Sequence, residues 1–145
     1  MRPLLYIVLI GTLALSSFTA NAQCKNFAKR VCRLELAPFI HDGNFNAAIL
    51  TESEDAELFK TFYAGQEYRI AVCGSEPLSK VEFQVLDVDR RVLFTNASRN
   101  YSPTWDFKVE TTQQLIVMVK VHDNPKSSDI LASGCVAIMF GLKAD

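Results

Sequence analysis

Few residues in this chain could do chemistry. Its two histidines each stand before an aspartate, His41 with Asp42 and His122 with Asp123. An imidazole beside a carboxylate can relay a proton or hold a metal ion. If folding joined the two pairs, a metal-dependent hydrolase would be the chemical reading. Against it, HDGN (41–44) is a turn-forming cluster and His122 ends a run of alternating residues, so both are expected as surface turn residues. No G-x-S-x-G elbow is present, and no thiol nucleophile is expected from the four cysteines, Cys24, Cys32, Cys73 and Cys135. No catalytic residue, metal or cofactor is assigned.

Binding chemistry has more candidates. Asp42-Gly43-Asn44, Glu52 to Asp55, and Asp87 with Asp89 could each offer oxygen ligands to calcium, but none completes a binding loop, and Asp and Asn are ordinary turn formers. Lys25, Lys29, Arg30 and Arg33 would form one basic helix face, able to meet an anionic lipid or an acidic partner; a solvated helix face is the plainer account, and the acidic turn near Glu52 is placed to neutralise it. Tyr63, Tyr68, Tyr101 and Trp105 are the aromatic candidates for a glycan-binding surface. Of these Tyr101, in the loop after Asn96, is expected to be the best exposed, while Trp105 is expected in the core. Asn96-Ala97-Ser98 is also a glycosylation sequon.

The elements that position these residues begin after a leader. Arg2 precedes an apolar run, Leu4 to Leu15, and then Ala20-Asn21-Ala22, the pattern of a secretory signal peptide cleaved after Ala22. That run, about 12 residues, falls short of the ~20 that span a bilayer, so no transmembrane segment is expected in the mature chain. Asn21-Ala22-Gln23 before Cys24 does not fit a lipoprotein signal. The mature chain would be residues 23–145, one domain, secreted or periplasmic. Its balance, once Arg2 is gone from 15 basic and 16 acidic residues, is slightly acidic and carries no nucleic-acid footprint. Export also brings all four cysteines to an oxidising compartment, and no C-x-x-C is present.

From Cys24 to Leu36 the apolar positions Cys24, Phe27, Ala28, Val31 and Cys32 follow helical spacing, and Pro38 stops the element. Thereafter the period is two. Segments at 47–50, 56–63, 68–73, 81–85, 92–94, 105–110, 115–121 and 135–140 read as strands between turn signals, and most of them alternate apolar with polar residues. The expected fold is all-β: an antiparallel, jelly-roll-like sandwich of about eight strands with a short N-terminal helix packed on it. Eight helical residues rise by ~12 Å, beyond the ~7 Å Cα limit of a disulfide. Cys24 and Cys32 should therefore each pair with Cys73 or Cys135, under a small-residue surface made by Ala71, Cys73, Cys135, Ala137, Ile116 and Met118. The competing arrangement pairs Cys73 with Cys135 and leaves Cys24 and Cys32 in an irregular loop.

FIHDGNFNA (39–47), TFYAGQEYRIAVC (61–73), VEFQVLD (81–87), WDF (105–107), TQQLIVMV (112–119) and GCVAIMFGLK (134–143) resemble a family of small secreted β-sandwich proteins of Bacteroidetes-type bacteria. That resemblance implies no activity. In strand order and in its Gly-Gln-x-Tyr turn the chain is also similar, more distantly, to pre-peptidase C-terminal and Golgi-dynamics β-sandwich domains, which implies an accessory or recognition role. The expected function is a non-catalytic binding or cell-envelope interaction module, its partner a protein or an envelope glycan, with Lys25, Lys29, Arg30, Arg33 and Tyr101 as the expected binding surface.

Overall fold

The computed structural model describes residues 19–78, 80–123 and 130–145. Most of the expected leader, residues 1–22, lies outside them. Helix α1 (Thr19–Arg30) therefore runs through the expected cleavage point, and a 3₁₀ turn, Cys32–Leu36, continues the chain after Val31. The expected helix of 24–36 is thus two pieces. Nine strands follow: β1 (Ile40–His41), β2 (Asn46–Thr51), β3 (Asp55–Phe62), β4 (Glu67–Gly74), β5 (Val81–Leu86), β6 (Val92–Thr95), β7 (Thr104–Lys108), β8 (Gln113–Val121) and β9 (Ser133–Leu142). Eight coincide with the alternating segments. The ninth, β1, is too short to show a period.

All pairings are antiparallel. One sheet runs β1-β9-β4-β7 with β2 also on β9, and the other runs β3-β8-β5-β6. Ile40 pairs with Leu142 and Asn46 with Ile138, so β1 and β2 lie one after the other along the same edge of β9. Among the described strands only β5 and β6 are consecutive and pair with each other; the other connections cross between sheets or jump along an edge. One crossing, Tyr63 to Gln66, turns on Gly65 at φ 81, a left-handed conformation that glycine adopts without a Cβ clash.

Two cores result. Between the sheets lie Phe62, Tyr68, Ile70, Phe83, Val85, Leu115, Val117, Val119, Val136 and Phe140, the inward parity of each strand. On the outer face of the first sheet, Ala28, Cys32 and Leu36 cover Ala71, Cys73, Ala137 and Met139. Small side chains on β4 and β9 let the helix sit close. The expected surface is corrected in one respect: Ile116 and Met118 belong to β8, on the outer face of the opposite sheet, where Phe59 and Leu86 pair with Ile116.

Disulfides Cys24–Cys135 and Cys32–Cys73, with Cα separations of 5.2 and 5.6 Å, staple the helix to β9 and the 3₁₀ turn to β4. Cys24 and Cys32 are thus each bonded to a strand cysteine, as expected, and the structure decides which: Cys24 takes Cys135 and Cys32 takes Cys73. Arg69 adds a clamp: it donates to both carboxylate oxygens of Asp106 at 2.7 Å and to the carbonyls of Glu35 and Ala37, with Phe39 under its guanidinium. The Asp106 hydrogen bonds raise the Arg69 pKa above its already high ordinary value. Each disulfide closes a long loop, for which a stabilisation of ~2–5 kcal/mol is typical.

Candidate functional site

The sheet registers place the two histidines at opposite ends of the sandwich. His41 pairs with Gly141, at the end where Tyr68 pairs with Leu142. His122 follows Val121, which pairs with Val81 at the start of β5. His41 meets the Asn44 carbonyl at 2.9 Å and packs on Phe45. His122 meets Glu82 at 2.6 Å and the edge of Tyr101. The fold does not join them.

Most of the oxygen clusters are likewise committed to local structure, the exception being the buried Glu52 Oε1, which has no hydrogen-bond partner among the described residues. Asp42 accepts from the Asn44 N–H at 2.8 Å and from Lys60 at 2.9 Å. Burial pushes its pKa up, but the Asn44 N–H and the Lys60 ammonium outweigh that and hold it below the ordinary carboxylate value. Asp87 and Asp89 both face Arg91. Ser53 donates to Asp123, and Glu54 accepts from the Thr51 N–H. Glu52, only 3% exposed, is turned inward, so it does not neutralise the helix as expected. Among the described residues no three His, Cys, Asp or Glu side chains converge as a metal site.

The aromatic candidates are rearranged too. Trp105 is half-buried and packs against the core, its ring stacked between Phe94 at 4.7 Å and Phe107 at 4.4 Å, both within 13° of parallel. With both faces covered, it offers a sugar no platform. Tyr101, expected as the best exposed aromatic, is half-buried, with Lys80 over its ring and His122 at its edge. Tyr68 is buried, and Tyr63 is the exposed tyrosine of the set. Asn96, the sequon asparagine, is 1% exposed: it accepts from the Phe83 N–H at 2.9 Å and donates to the carbonyls of Val81 and Ser102. It is a staple between β5 and the β6–β7 loop, inaccessible to a glycan-transferring enzyme.

What sequence reasoning missed is a cleft of about 380 Å³ on the side of the sandwich where β2 and β3, edge strands of different sheets, face each other. Asn46, Ala48 and Leu50 line it from β2 and Ala56 and Leu58 from β3, over Val119, Val136 and Ile138. Ala48 has inward parity yet is exposed, because nothing bulky closes the gap above it. The signal was the pair of alanines at inward positions, visible in NAAIL and DAEL but meaningless until the strands were known to be neighbouring edges.

Lys25, Lys29, Arg30 and Arg33 are all exposed on the helix and 3₁₀ turn. Among the described residues none of the four forms an ion pair. Tyr101 lies instead beside Val31, Glu35, Lys80 and Pro103 in a separate depression.

No protein-family model matches the chain, and no curated protein does. Among solved structures the fold is similar to that of a periplasmic inhibitor of g-type lysozyme from Aeromonas hydrophila, PliG, with a TM-score of 0.52 and 12% identity, covering 73% of this chain and 89% of that one. At that identity the likeness is one of fold.

Proposed function

We propose that this chain is a secreted or periplasmic binding module without catalytic activity, whose partner is a protein that seats an apolar side chain in the cleft between β2 and β3. The cleft carries the reading: an apolar floor left open to solvent on a scaffold held rigid by two disulfides is preorganised to receive a side chain. The histidines, Asp42 and Trp105, the candidates for chemistry or sugar stacking, are engaged in structural contacts. The similar fold of PliG, an inhibitor of g-type lysozyme, supports a protein as partner and makes such a lysozyme the first one to try. The apolar leader pattern and the oxidised cysteines support export, as does the resemblance to small secreted proteins of Bacteroidetes-type bacteria.

The test is a crosslinking pull-down from the native envelope fraction with the exported protein as bait, run beside a direct assay of g-type lysozyme inhibition. Ala48→Phe and Ala56→Phe, which fill the cleft, are expected to abolish capture or inhibition while the melting temperature is kept. A partner retained undiminished by both variants would show that the cleft is not the binding site.

A further inference from the structure

The described cations of this protein fall into three groups. Lys60, Arg69, Arg90, Arg91 and Lys143 each face a carboxylate within 3.2 Å. Lys25, Lys29, Arg30 and Arg33 do not, although they crowd within nine residues of one stapled element. Lys80, Arg99, Lys108 and Lys120 are also outside ion pairs among the described residues, but they sit singly on separate strands and loops. Lys29 and Arg30 stand in the last turn of α1, where the partial negative charge of a helix C-terminus accounts for them. That account does not reach Lys25, or Arg33 in the following turn.

Two aliphatic side chains stand among these charges. Val31 is 49% exposed and Leu34 is 72% exposed, and they alternate with cations in Lys29-Arg30-Val31-Cys32-Arg33-Leu34. Cys32, at the middle of the stretch, is fully buried and bonded to Cys73. The corner is thus pinned from below while its charges and aliphatic groups face water. Among the described residues only Ile130 is a more exposed large apolar side chain than Leu34.

We infer that this corner docks on an anionic lipid surface, with Lys25, Lys29, Arg30 and Arg33 at the headgroups and Leu34 and Val31 entering the acyl boundary. Unpaired cations are complementary to such a surface, and basic residues interleaved with aliphatic ones are the composition that binds it. A protein hot spot would instead be built on aromatic anchors, and the aromatic residue of this element, Phe27, is half-buried against the helix–sheet core. Because the staple fixes the segment before binding, little ordering is lost at the membrane. The inference does not depend on the β2–β3 cleft, and a protein could use both faces at once.

The experiment is co-sedimentation of the exported protein with vesicles of phosphatidylglycerol and phosphatidylcholine mixed, against pure phosphatidylcholine, at low and at 1 M salt. Binding is expected to the anionic vesicles only and to disappear at 1 M salt, where the screening length falls to ~3 Å. Each charge removed by Lys25→Gln, Lys29→Gln, Arg30→Gln or Arg33→Gln should weaken binding about fivefold. Leu34→Ser should weaken it about tenfold with all charges in place. These side chains are exposed, so the melting temperature of each variant should stay within a few degrees and report that the fold is kept. Binding to neutral vesicles as strong as to anionic ones would overturn the inference, as would binding insensitive to Leu34→Ser. Failure to bind vesicles together with capture on an acidic polypeptide matrix would replace the lipid with a protein partner.

Discussion

The sandwich ends on two sides, and the sequence finishes them in opposite ways. Where β6 and β7 face each other, the inward positions are Phe94, Trp105 and Phe107, whose rings stack in one ladder and join the core through Tyr68 and Phe62. What remains outside is a depression of about 540 Å³ whose wall is largely polar, with Arg99, Ser102, Thr104 and Asp106. Where β2 and β3 face each other, the inward positions are Asn46, Ala48 and Leu50 against Ala56, Leu58 and Lys60, and the apolar floor stays open. One side is built for stability. The other forgoes the same gain, although rings at two alanine positions would have closed it.

The contrast can be broken most forcefully at the closed side. Trp105→Ala removes the middle ring of the ladder and should cost about 3 kcal/mol, read as a lower midpoint in denaturant unfolding. A cost under about 1 kcal/mol would mean that the ladder merely covers the core. Next in size is Asn96→Ala at the β6 end of the same side, which strands the Phe83 N–H and the carbonyls of Val81 and Ser102. About 2–3 kcal/mol is expected by the same measurement.

The open side should respond less. Lys60→Met deletes the ammonium that bonds Asp42 and lies over the Phe140 ring, for about 1–2 kcal/mol at neutral pH. Asp42 is depressed in the folded state, so its contribution is complete above the ordinary carboxylate pKa of about 4 and is lost as the pH falls through the lower folded value. The gap between wild type and Lys60→Met should accordingly narrow between pH 5 and pH 2, and a gap independent of pH would assign the loss to Phe140 packing instead. Smallest of all is Ala48→Phe, expected within ~0.5 kcal/mol of wild type because the new ring enters existing space. If it destabilised the protein by several kcal/mol, the cleft would not be open in solution.

Much of this fold was legible beforehand because its signals are local. Period-two alternation marks eight strands without reference to their partners, and Pro38 marks where the helical spacing must stop. The disulfides yielded in part to a local argument, since the rise of a helix forbids Cys24 from reaching Cys32, but it left open which of Cys73 and Cys135 each one meets. The errors share one cause. Ile116 and Met118 were assigned to the helix-covered surface by parity, and parity fixes the face of a strand but not its sheet. Tyr101, Glu52 and Asn96 sit in connections, where the sequence marks a polar turn without showing which side chain turns inward. Asn96 reads only as a sequon, and its burial depends on Phe83, Val81 and Ser102, which the turn signal does not involve.

The sequence by itself therefore determined eight of the nine described strands, their inward faces and the joining of each N-terminal cysteine to a strand cysteine, because each follows from backbone geometry over a few residues. Only the tertiary structure decided that β2 and β3 are neighbouring edges, that two alanines there leave a cleft, and that the four cations near Leu34 form no ion pair among the described residues. The first two belong to residues far apart in the chain, in a topology where, among the described strands, a single consecutive pair is bonded together. No local pattern encodes which distant segments meet, or which fail to.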